Sequence, residues 1–118
     1  MTGDGAREIA SIVGGRAAAG APADTREIRN PADLTDLVAR ARLADADGIV
    51  GAARAARRAQ DAWARVPAPI RGRVVQQFGR LVEDNAEALA RIITREIGKP
   101  IREARGEVQE VVDTCNFF

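Results

Sequence analysis

From Ile49 onward, apolar residues recur three and four apart, the spacing of one face of a helix. Ile49, Ala52, Ala53, Ala56, Ala59 and Trp63 form one such stripe, with Arg54, Arg57, Arg58 and Asp61 away from it. Val66-Pro67-Ala68-Pro69 breaks this first helix, because proline lacks the backbone donor that a helix interior needs. The pattern predicts a second helix from near Pro69, with Ile70, Val74, Phe78, Leu81 and Val82 on its apolar face. A third helix, capped by Asn85, carries Leu89, Ile92, Ile93 and Ile97 and stops at Gly98, with Pro100 just beyond. A fourth begins near Pro100, a good first-turn residue, and its stripe is Ile101, Ala104, Val108, Val111, Val112, Cys115 and Phe118. That stripe is still running at the last residue, without a glycine, a polar cap or a cation in the last turn. The pattern therefore predicts that the sequence is a piece of a longer protein.

The first third of the chain reads differently. Residues 1–8 are small and polar and are expected to form a loose terminus. Ile9 to Val13 is a short apolar run ending at Gly14-Gly15, and Gly/Ala/Pro-rich residues 17–23 follow as a flexible connection. Thr25 to Ile28 reads as a second strand, closed by the turn-forming Asn30-Pro31, and the two runs predict a short β-hairpin. Asp36 to Leu43 alternates as a strand, with Leu37, Ala39, Ala41 and Leu43 on one face and Val38, Arg40 and Arg42 on the other. Asp45 or Asp47 is placed to cap the first helix. The segment is thus mostly α-helical after a short β-hairpin and strand region, with strands over about 9–43 and helices over about 47–118.

Composition narrows the chemistry. The 118 residues are 46% hydrophobic and 30% charged, an ordinary globular balance with a formal charge of +1. There is no histidine and no tyrosine, and a single cysteine. An imidazole base, a Ser-His triad, a Cys/His zinc cluster and an intrachain disulfide are all excluded. A lone thiol, with neither a signal-like apolar run nor a membrane-length one, predicts a soluble cytoplasmic protein.

Several local patterns occur in one order. Ile12-Val13-Gly14-Gly15 precedes Glu27-Ile28-Arg29-Asn30-Pro31, and the next strand ends at Leu43-Ala44-Asp45-Ala46. An Ala-rich helix closes on Ala62-Trp63, and Pro69-Ile70-Arg71-Gly72-Arg73 opens the next. Leu81-Val82-Glu83-Asp84-Asn85, Leu89-Ala90, Thr94-Arg95-Glu96-Ile97-Gly98-Lys99-Pro100 and Glu103-Ala104-Arg105-Gly106-Glu107-Val108 follow. Over residues 9–118 this resembles the opening of the aldehyde dehydrogenase superfamily. The resemblance implies an α/β fold, in which this stretch is the N-terminal portion of a Rossmann-like cofactor-binding domain and its helices buttress the nucleotide-binding sheet.

In that family NAD or NADP accepts hydride from an aldehyde held on a cysteine thiolate as a thiohemiacetal. A glutamate-activated water then releases the carboxylic acid from the thioester, and an asparagine and a backbone N–H hold the oxyanion. The segments that carry the family's nucleophile, base and cofactor turn have no counterpart here. No catalytic, cofactor-binding or metal-binding residue is therefore assigned, and this chain alone is expected to be inactive and to take no cofactor. Its expected partners are an aldehyde substrate for the intact enzyme and either further copies of itself or a full-length relative. Nucleic acid and membrane are not expected.

Five features carry a bland reading beside a sharper one. Cys115 lies on an apolar stripe late in its helix, far from the helix N-terminus that activates thiolates, and reads as a core cysteine. Glu96-Ile97-Gly98-Lys99 is similar to the family's general-base motif, but its place after the third helix reads as a helix stop with Lys99 as a solvated capping cation. The pair Gly14 and Gly15 lacks the spacing of a phosphate loop. Arg54, Arg57, Arg58, Arg65, Arg71, Arg73 and Arg80 read as a solvated face, partly paired with acids among residues 83–113. Trp63 reads as core. Gly48, Gly51 and Gly79 sit inside predicted helices, where alanine would fit better by about 1 kcal/mol each. Two alternatives remain beside the dehydrogenase fragment: a non-catalytic helical interaction module and a small Arg-rich nucleic-acid binder.

Overall fold

A computed structural model describes residues 6–18 and 24–118. Most of residues 1–8 and of the glycine- and alanine-rich connection at 17–23 therefore lie outside the described residues. The elements run β1 (Arg7–Ile9), β2 (Ile12–Val13), β3 (Arg16–Ala17), β4 (Thr25–Asn30), β5 (Asp33–Arg42), α1 (Ala46–Arg65), α2 (Ala68–Asp84), α3 (Ala86–Ile97) and α4 (Ile101–Phe117). The mostly helical chain with a strand-rich first third agrees with the sequence pattern. Packing divides it into two units, Met1–Arg29 with Leu34–Arg65, and Asn30–Asp33 with Val66–Phe118.

The first unit pairs its strands differently from the expected hairpin. The three-stranded sheet has the order β1-β5-β4, with β1 parallel to β5 and Arg7, Glu8 and Ile9 opposite Ala39, Arg40 and Ala41. Arg7 and Glu8 thus belong to a strand. The apolar run from Ile9 does not pair with Thr25–Asn30; its later part forms a small antiparallel hairpin in which Ile12 opposes Ala17. Gly14 and Gly15 make that turn at φ 61° and 77°, left-handed values that glycine adopts without a Cβ clash. In β5 both Val38 and Ala39 are buried, so burial reaches both faces rather than the single face that the alternation suggested.

Asp45 caps α1, its Oδ1 accepting the Gly48 N–H at 2.7 Å. The expected buried stripe of α1 is not formed. The helix has no buried residue among those described, and Ile49 and Trp63 are exposed. Gly51 faces open space, with nothing within 4 Å of an added Cβ. Gly51→Ala should therefore raise the stability of the chain by about 0.5–1 kcal/mol through helix propensity alone, read as a higher urea midpoint at unchanged m-value. A lowered midpoint would show that the position is covered.

The second unit holds most of the buried side chains. Helix α4 is its centre, with α2 and α3 both packed against it. Ala104, Val108, Val112 and Cys115 recur on one face of α4 at spacings of four, four and three, and all are buried. Ala90 of α3 meets Ala104 and Val108, with Val82, Ala86, Leu89, Ile93 and Ile101 packed around them. Small residues at this contact let the helix axes approach closely.

On the α2 side only Val82 of the expected stripe packs against the core. Ile70, Val74, Phe78 and Leu81 are exposed, and the buried residue of the helix is Gly79. A Cβ built on Gly79 would lie 2.7 Å from Cys115 Cβ, so this glycine is a point of close helix approach and not a weak position awaiting alanine. The turn Asn30–Asp33 packs with this unit. Asn30 Oδ1 accepts the Ala32 N–H at 2.9 Å, and Pro31 Cγ lies 2.9 Å from where a Cβ on Gly98 would be.

Candidate functional site

Each feature singled out in the sequence now has a place. Cys115 is buried near the end of α4, against Gly79 of α2. It sits late in its helix, away from the α4 N-terminus, and its surroundings are those of a packed side chain.

Gly98 ends α3 in the left-handed conformation at φ 73°, its N–H donating to Thr94 O at 2.9 Å. Pro100 opens α4, its carbonyl accepting the Ala104 N–H at 3.0 Å. Glu96 is exposed on the last turn of α3. Lys99 departs from the solvated capping role: its Nζ is hydrogen-bonded and ion-paired to the Glu107 carboxylate, one helix further on. That bond, with a smaller contribution from Glu103, holds the Lys99 ammonium above its usual range. The quartet Glu96–Lys99 is thus a helix stop followed by a tie to α4.

Asn85 also does something other than expected. It stands between α2 and α3 without a side-chain bond to the α3 N-terminus. Its Nδ2 instead donates to Leu81 O at 2.8 Å, satisfying a carbonyl that the end of α2 leaves free.

Among the arginines, Arg57 bonds Gln60 and Asp61 along α1, and Arg71 donates to Val66 O at 2.7 Å. Arg54, Arg58, Arg65 and Arg73 have no ion-pair partner among the described residues. Glu87 and Glu107, further along the chain, take other partners. Glu87 of α3 accepts from Arg105 Nε at 2.9 Å and pairs with Arg91 at 3.0 Å. Trp63 is 46% exposed and borders a shallow apolar groove on α1 with Ala56, Arg57, Ala59 and Gln60, which corrects its reading as core. It lies across the helix from Arg54 and Arg58, whereas Arg57 borders the same groove.

Hydrogen bonding to Arg105 is the largest effect holding the Glu87 carboxyl below its ordinary 4.5, opposed by desolvation and aided by the charges of Arg105 and Arg91. A carboxylate depressed on folding contributes stability that is present above its unfolded value and lost as pH falls through its folded one. Glu87→Gln should therefore lower the denaturation midpoint near neutral pH and flatten its decline below pH 4.5. Identical midpoint-against-pH curves for the two proteins would show that the bridge is spent in solvent screening.

The Gly14-Gly15 turn does not fit a dinucleotide pyrophosphate. Gly14 and Gly15 turn one strand into another, whereas a pyrophosphate needs a glycine turn that delivers it to a helix N-terminus. No group of three or more acidic, Cys or His side chains that could hold a metal ion occurs among the described residues. A cavity of about 260 Å³ opens in the first unit between the β2–β3 hairpin and the start of α1, with mainly apolar walls that include Ile12, Val13, Leu43 and Ile49. Its polar lining is Ser11, Arg42 and Asp45, and the Asp45 carboxylate is already engaged as the cap of α1. No described helix is long and apolar enough to cross a membrane.

Comparison with known proteins supplies the context that these side chains lack. The model of the aldehyde dehydrogenase family matches residues 18–118. An alpha-ketoglutarate semialdehyde dehydrogenase of Haloferax volcanii is 36% identical over 95 residues, covering 80% of this chain and 20% of that protein. The aldehyde dehydrogenase family 7 member A1 of Pisum sativum is 35% identical over 115 residues, covering 98% of this chain and 22% of that protein. The crystal structure of an NAD-dependent aldehyde dehydrogenase from Sinorhizobium meliloti superposes with a TM-score of 0.88 at 31% identity, covering 95% of this chain and 23% of that one. The chain thus spans about a fifth of the length of the relatives it matches.

Proposed function

The chain belongs to the aldehyde dehydrogenase family, and we propose that residues 9–118 serve as the N-terminal portion of a family member's cofactor-binding domain, with no catalysis of their own. The observation that carries this reading is the joint match in sequence and fold, at a TM-score of 0.88, to about a quarter of a complete NAD-dependent aldehyde dehydrogenase. The whole protein would oxidise an aldehyde to a carboxylic acid with NAD or NADP, in the cytoplasm. The part seen here would contribute scaffold: helices that position the nucleotide-binding sheet. The buried Cys115, the lack of any histidine and the hairpin role of Gly14-Gly15 all favour scaffold over chemistry.

The test is direct. The purified chain, given NAD or NADP and a panel of aldehydes, should show no reduced cofactor above the rate of the mixture without protein. Sustained NADH or NADPH production at enzymatic rates would overturn the reading.

A second reading is a non-catalytic helical module that associates with itself or with a full-length relative. The exposed stripe Ile70, Val74, Phe78 and Leu81 on α2 favours it, since contiguous exposed apolar surface marks interaction sites. Size-exclusion chromatography separates the two. A discrete oligomer that melts cooperatively supports the module, and a monomer or a heterogeneous aggregate supports the scaffold piece. For the Arg-rich nucleic-acid binder, the chain offers few stacking platforms: one Trp, no Tyr and three Phe, with Trp63 across α1 from Arg54 and Arg58.

A further inference from the structure

We draw no further inference here: the strongest candidate, the exposed apolar stripe of α2 formed by Ile70, Val74, Phe78 and Leu81, carries nothing beyond the readings above because nothing in the structure shows what covers it.

Discussion

Gly79→Val is expected to destabilise the chain by about 3 kcal/mol, the upper range for overpacking a closed contact. The cause is the approach of α2 to α4. A Cβ at position 79 would lie 2.7 Å from Cys115 Cβ, closer than carbon atoms can pack, with Val112 O at 3.8 Å behind it. Both clashing atoms are fixed to helix backbones, so no rotamer change relieves the contact and the helices must part. Parting them loosens the side of α4 that buries Val112 and Cys115. Gly79→Ala meets the same clash but recovers about 1 kcal/mol of helix propensity, so its loss should be smaller. Cys115→Ala should not rescue either variant, because the near atom is Cβ and not the sulfur. Urea unfolding monitored by circular dichroism would read these effects. A midpoint unchanged or raised in both glycine variants would refute the close approach, and a rescue by Cys115→Ala would move the clash to the thiol.

The contrast between Gly79 and Gly51 marks the boundary of what the sequence made legible. Both are glycines inside Arg-bearing helices, and helix propensity treats them alike. Only the neighbouring helix tells them apart. Local signals were readable because their physics is local. Val66-Pro67 separates α1 from α2, Gly98 stops α3, and Ala104, Val108, Val112 and Cys115 point one way from α4. Which stripe finds a partner depends on the rest of the fold. Periodicity marks a face as apolar but cannot say that it is covered, so Trp63 and Phe78 looked like core and are exposed. The parallel pairing of β1 with β5 joins residues some thirty positions apart, and no turn sequence announces such a contact. Lys99 looked solvated because its partner, Glu107, lies one helix away. The absence of an assigned catalytic residue follows from composition and from the family's motif order, two sources that require no packing information.

Val112→Asp should cost about 4 kcal/mol or more, a large share of the 5–15 kcal/mol that holds a small domain folded. Val112 is 4% exposed on the central helix, and a carboxylate there would have neither water nor a cationic partner. Phe78→Ser on the packed neighbour α2 should change stability by less than about 1 kcal/mol, because that ring is 56% exposed. Ranking the two positions by hydrophobicity would reverse this order, since phenylalanine has the larger apolar surface to bury. The comparison therefore tests placement rather than residue type. Thermal melts and far-ultraviolet circular dichroism of both variants would show a largely unfolded Val112→Asp chain beside a native-like Phe78→Ser chain. Equal loss of structure in both would mean that the α2 stripe is buried in the solution species. Sizing of the parent chain would then report an oligomer that Phe78→Ser dissociates, and the helical-module reading would replace the scaffold reading.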